Sequence, residues 1–114
     1  MKYTHNNKSG ILIMTLEGDL IGEDSGLDLV STANDYLNQE IFKCIIDISG
    51  LRYINSSGIG VLITILTKFR NKGGELYLVN PSENVQKLLI ITKLNAIFNI
   101  VDSEAAAVNK LNEE

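Results

Sequence analysis

Hydrophobic and polar positions follow one another along this chain in blocks whose period changes from strand-like to helical and back. From Gly10 through Leu16 the run GILIMTL is rich in large aliphatic residues and is punctuated by Gly18-Asp19, which predicts a strand. Asp24 and Ser25 are good N-cap types. Beyond them Leu27, Val30, Ala33, Tyr36 and Leu37 recur at helical spacing, so an amphipathic helix should end near Gln39 with Asp28, Ser31 and Asp35 toward water. FKCIIDIS, residues 42–49, is an apolar run without polar alternation, as expected of a strand covered on both faces and stopping at Ser49-Gly50. After a loop, Ser56, Ser57 and Gly58 open a second helical pattern whose stripe is Ile59, Leu62, Ile63, Leu66 and Phe69. It ends at Asn71-Lys72-Gly73-Gly74, a cationic last turn followed by glycine.

ELYLVN, residues 75–80, predicts a third strand closed by Pro81, which suits the first turn of a helix carrying Val85, Leu88, Leu89 and Ile91. IFNIV, residues 97–101, predicts a short fourth strand, and Ser103 should cap a terminal helix through Ala105–Val108 and Leu111. Strands separated by helical segments of roughly 10–15 residues indicate crossover units and a mainly parallel sheet covered by helices. The 114 residues, with no linker-like stretch or internal repeat, read as one α/β domain over 1–114.

Composition narrows the function classes. The chain is 45% hydrophobic and 21% charged, near the average for globular domains. Its longest apolar run, Ile59–Leu66, is far short of a membrane span, and the polar stretch Met1–Gly10 lacks the apolar core of a secretory signal, so a soluble cytoplasmic protein without membrane insertion is expected. A net charge of −4 and the absence of Trp argue against a nucleic-acid partner. The single Cys44, inside an apolar run, reads as a buried inert thiol, and no metal cluster or cofactor motif is present.

The most unusual segment leads into the second helix: Leu51-Arg52-Tyr53-Ile54-Asn55-Ser56-Ser57-Gly58-Ile59-Gly60. In open α/β sheets, partners and ligands tend to meet such loops at strand carboxyl ends. The simplest role of Ser56 or Ser57 is an N-cap, worth about 1 kcal/mol. Gly58 and Gly60 ask for more, since a glycine inside a helix costs roughly 0.5–1 kcal/mol relative to Ala. They imply a close approach to the backbone, either by another element of this fold or by an outside partner. A serine hydrolase would need a base, and the only histidine, His5, lies in the polar start of the chain, where a solvated role is expected. The glycine before serine of a nucleophile elbow and the Gly-Lys-Ser/Thr end of a P-loop are both missing. Asp47 reads as a cap of the turn that follows it. Glu17, Asp19, Glu23 and Asp24 form an acidic stretch, either a solvated edge or a docking rim.

With these residues in view, the chain resembles the STAS family, the domain shared by sulfate transporters and anti-sigma factor antagonists. IIDISGLRYINSSGIGVLI is similar to that family's strand ending in Asp-x-Ser, short loop and Asp-Ser-Ser/Thr-Gly-x-Gly signature, and the segment from Gly73 to Val108 resembles its second half. The resemblance implies a single mixed, mainly parallel sheet of four to five strands with about four helices packed mainly on one face. It also implies a protein that acts by binding. Stand-alone members of the family commonly capture an anti-sigma factor that is itself a serine kinase; the kinase phosphorylates the signature serine and a serine phosphatase reverses this.

Carried over by position, the phosphorylation acceptor is Ser56. Arg52, Tyr53, Asn55, Ser57, Gly58 and Gly60 would line the docking surface, with Ile21, Gly22 and Glu23 of the preceding turn beside it. No catalytic residue, metal or cofactor is implied. Two positions depart from the family pattern. Asn55 stands where an Asp is common, and an amide cannot serve as a base; Ile21 stands where an acidic residue is usual. The expected role is an anti-sigma factor antagonist in the bacterial cytoplasm, a phosphoprotein of transcription regulation. The competing readings are an unmodified STAS scaffold subunit of a transport or signalling complex and, behind it, a serine-nucleophile enzyme.

Overall fold

The computed structural model describes residues 1–21 and 23–113, without the side chains of residues 23–25. Its elements run β1 (Lys2–Lys8), β2 (Ile11–Leu20), α1 (Glu23–Asn38), β3 (Lys43–Ile54), α2 (Ser56–Asn71), β4 (Glu75–Val79), α3 (Glu83–Ile91), a 3₁₀ turn (Leu94–Ala96), β5 (Asn99–Val101) and α4 (Glu104–Asn112). Among the described residues the sheet has five strands in the spatial order β1-β2-β3-β4-β5. β1 is antiparallel to β2, and the pairs β2-β3, β3-β4 and β4-β5 are parallel. Because every parallel crossover steps in the same direction and such crossovers are right-handed, α1, α2 and α3 fall on one face. Among the described residues, α4 is the helix that folds back onto the other.

The core divides accordingly. On one face Leu12, Met14 and Leu16 of β2, Cys44, Ile46 and Ile48 of β3 and Leu76 and Leu78 of β4 meet Leu29, Ala33, Leu62, Leu66, Phe69, Val85 and Leu89 of the three helices. On the other, Ile11, Ile13, Ile45, Tyr77 and Val79 are covered by Ala107 and Leu111 of α4. The central strands are thus apolar on both sides, which is why residues 42–49 carry no polar alternation. Cys44 is buried in the larger cluster, as its surroundings in sequence imply.

Several elements differ from their sequence patterns. β1, KYTHNNK, has no apolar stripe and forms because its backbone pairs with β2 from Lys2↔Glu17 to Lys8↔Ile11. Ser9 and Gly10, both at positive φ (55° and 83°), make the two-residue turn whose twist suits a hairpin. On α1, Leu27 is exposed and Leu29 is buried, so the stripe is Leu29, Ala33, Tyr36 and Leu37. α1 already begins at Glu23, so Asp24 and Ser25 lie within its first turn and neither is the N-cap expected of them; their side chains lie outside the described residues. Pro81 precedes α3 and Ser82 is its N-cap, accepting from the Val85 N–H at 3.4 Å, while Ile91 at the far end is exposed. On α2 the deepest stripe includes Ile65, with Ile59 and Ile63 at its half-buried margin. Ser103 caps α4 as expected, through the Ala106 N–H at 3.1 Å.

Candidate functional site

β3 does not stop at Ser49-Gly50 but continues to Ile54, and the reason lies in its pairing with β2. Between Thr15↔Asp47 and Glu17↔Gly50, and again between Gly18↔Leu51 and Asp19↔Tyr53, β3 advances one residue more than its partner. Each such bulge shifts the alternation, so the buried residues become Ile48, Leu51 and Ile54 at a spacing of three. That spacing does not resemble a strand in sequence. One consequence is that Arg52 and Tyr53, neighbours in sequence, are both exposed just before α2. Asp47 holds the first bulge, its Oδ1 accepting from the Ser49 N–H at 2.9 Å and the Ser49 hydroxyl at 2.7 Å.

The cap of α2 is neither serine. Asn55, in extended conformation, places its Oδ1 2.9 Å from the Gly58 N–H, and Ser56 is the first residue of the helix. The N-cap role expected for Ser56 or Ser57 is therefore corrected: asparagine caps as well as serine, and with Asn55 in that position the hydroxyls are released from it. Both serines are exposed, and among the described residues the Ser56 hydroxyl has no hydrogen-bond partner. It stands beside first-turn N–H groups whose partial positive charge favours a neighbouring anion.

The two glycines of the first turn have different causes. A Cβ on Gly58 would collide with the carbonyl oxygen of Leu20 and come within 2.8 Å of Ile54 Cγ1, so this glycine lets the end of β2 press onto the helix. A Cβ on Gly60 would meet nothing within 4 Å. Gly60 lies instead on a shallow groove of about 470 Å³ between α1 and α2, lined also by Leu27, Val30, Ser57, Val61 and Thr64. Of the close approaches expected from the glycine pair, the fold accounts for the one at Gly58 and leaves Gly60 open to solvent.

Of the residues lining this groove Leu27 is 68% exposed, and near the ends of β3 and β2 Tyr53 and Ile21 are 54% and 50% exposed. Leu27 was absent from the expected surface, although its position two residues before Leu29 sets it off the buried stripe of α1. Arg52, next to Tyr53 in β3, donates twice to Asp19, from Nε to Oδ1 at 3.0 Å and from Nη2 to Oδ2 at 2.8 Å. That bidentate bond, together with the guanidinium charge, holds the Asp19 carboxyl below its ordinary range. Of the remaining expected residues, Gly22 and the side chain of Glu23 lie outside the described residues.

His5 is not simply solvated. Its Nδ1 lies 3.0 Å from the Tyr36 hydroxyl and its ring meets that of Tyr36 edge-on, tying β1 to α1. It sits on a strand separated from β3 by the whole of β2. Among the described residues no three metal-ligating side chains cluster, and no helix is long and apolar enough to cross a membrane.

A family model, the STAS domain, matches residues 3–107. The chain belongs to the STAS domain family. Over 78 residues it is 32% identical to a Thermotoga neapolitana protein named for its homology to an anti-sigma factor antagonist, covering 68% of this chain and 69% of the relative. It is 26% identical over 102 residues to the anti-sigma F factor antagonist of Paenibacillus polymyxa, covering 90% and 87%. The anti-sigma factor antagonist SpoIIAA in its unphosphorylated form has the same fold, with a TM-score of 0.78 over 97% of this chain and 98% of that one at 17% identity. The mixed five-strand sheet with helices mainly on one face is thus the fold of this STAS domain, as the signature around Ser56 implies.

Proposed function

We propose that this STAS domain is an anti-sigma factor antagonist of the bacterial cytoplasm, which binds an anti-sigma factor with serine kinase activity while Ser56 is unmodified. The surface is the head of α2 with its neighbours: Ser56, Ser57 and Gly60, together with Arg52, Tyr53 and Ile21. The observation that carries this reading is the exposed Ser56 hydroxyl, freed from capping by Asn55 at the head of α2. The names of the relatives support the same role.

Phosphate on Ser56 adds about −1.5 to −2 charge at pH 7. Beside the first N–H groups of α2 this charge is tolerated by the domain itself. In a close-packed interface it must be desolvated, at a cost of several kcal/mol unless the partner supplies cations. Phosphorylation then ends the complex without unfolding the antagonist, and a serine phosphatase restores it. Tyr53 and Leu27, large and half or more exposed, supply the apolar contact area that makes such an interface worth forming.

The test is incubation with ATP and each serine-kinase-type anti-sigma factor of the source genome, followed by intact-mass measurement and a binding assay. We expect the mass of one phosphate, lost in Ser56→Ala, with Ser56→Ala still binding and Ser56→Asp not. No mass gain together with unchanged binding by Ser56→Asp would overturn the switch and leave an unmodified scaffold subunit.

A further inference from the structure

The Asn55 side chain makes two contacts of opposite polarity. Its Oδ1 accepts from the Gly58 N–H at 2.9 Å, and its Nδ2 donates to the carbonyl oxygen of Ile21 at 3.1 Å. Its own backbone N–H donates to the carbonyl of Leu20 at 3.3 Å. The end of β2, the end of β3 and the first turn of α2 therefore converge on one residue. Ile21, bonded to Asn55 through its carbonyl, and Ser56, its neighbour in the chain, are both exposed.

We propose that Asn55 is a positioning residue of the docking surface: its amide N–H holds the Ile21 side in register with the Ser56 side, so that a partner meets both as one preformed patch. The consequence for binding rests on the antagonist reading given above; the positioning itself does not.

The chemistry of residue 55 separates this role from capping. An aspartate has nearly the same shape and would cap α2 at least as well, because a carboxylate is favoured at the positive start of a helix. It has no N–H, however, and would set a carboxylate oxygen against the Ile21 carbonyl, two acceptors with no hydrogen between them. A serine would still cap but is too short to replace the second contact. A residue needed only as a cap tolerates both replacements. A residue needed for the Ile21 contact tolerates neither, because a surface that must be ordered on binding forfeits part of its affinity.

The experiment compares wild type, Asn55→Asp and Asn55→Ser by thermal unfolding, by the ¹³C resonance of the Ile21 carbonyl, and by affinity for each serine-kinase-type anti-sigma factor of the genome. We expect Asn55→Asp to keep the fold and to unfold close to wild type, its charge at the helix start offsetting most of the lost amide bond. Its Ile21 carbonyl resonance should move upfield as the donor is lost, and its affinity should fall about tenfold, the scale of one hydrogen bond. Asn55→Ser should repeat the carbonyl shift and the affinity loss. An unmoved carbonyl resonance in Asn55→Asp, or a moved one with undiminished affinity, overturns the proposal. If wild type binds none of these factors, the antagonist reading fails, and the carbonyl resonance alone decides whether Asn55 positions Ile21.

Discussion

Gly58 lies so close to the carbonyl oxygen of Leu20 that no side chain fits between them. A Cβ there would also crowd Leu20 Cγ and Ile54 Cγ1, at 2.9 and 2.8 Å, so the end of β2 cannot simply yield. Gly58→Ala should therefore lower stability by about 1–3 kcal/mol, the range of overpacking, despite alanine's better helix propensity. Gly60→Ala, with open space around it, should raise stability by about 0.5–1 kcal/mol. Urea unfolding of the two variants checks both signs. Because Gly60→Ala keeps the fold, any loss of partner binding it shows reports contact at the groove.

Since Asn55 caps α2, Ser56 is expected to matter little for folding. Ser56→Ala should change unfolding free energy by less than about 0.5 kcal/mol, as for an unremarkable surface position. Ser56→Asp should be neutral or stabilising by about 0.3–1 kcal/mol at low salt, since its charge sits at the positive start of the helix. A loss above about 1.5 kcal/mol in Ser56→Ala would restore the hydroxyl to a capping role.

The Asp19–Arg52 pair should show itself by titration. The Arg52 hydrogen bonds, then its charge, hold the Asp19 carboxyl below its ordinary value. A lowered folded-state value means the pair's contribution is complete above the ordinary carboxylate range and disappears as pH falls through the lowered value. In Arg52→Met, the Asp19 side-chain carboxyl ¹³C titration should return upward to the ordinary range. Identical curves in the two proteins would mean that the bidentate pair does not persist in solution.

Burial pushes the Cys44 thiol well above its ordinary range, so almost no thiolate exists at neutral pH. Native protein should therefore resist a thiol-exchange reagent, and labelling should follow the unfolded fraction as urea is added. Rapid labelling without denaturant would show that β3 opens locally.

Sequence by itself determined the alternation of strand and helix from Ile11 to Leu111, the opening of α2 within residues 56–58, its glycine stop and the Ser103 cap, because each depends on neighbours within a few residues. It also marked the segment around Ser56 as the place where chemistry could sit. Tertiary structure decided what those residues do there. β1 exists through backbone pairing with β2, which its polar side chains do not signal. β3 reaches Ile54 through two bulges defined only against a partner strand, and so Arg52 and Tyr53 emerge together. The choice of Asn55 as cap, and the crowding of Gly58 by a carbonyl more than thirty positions away, depend on distances between segments that are remote in the chain. Local pattern carries local torsions and burial period; which hydroxyl is left free is a property of packing.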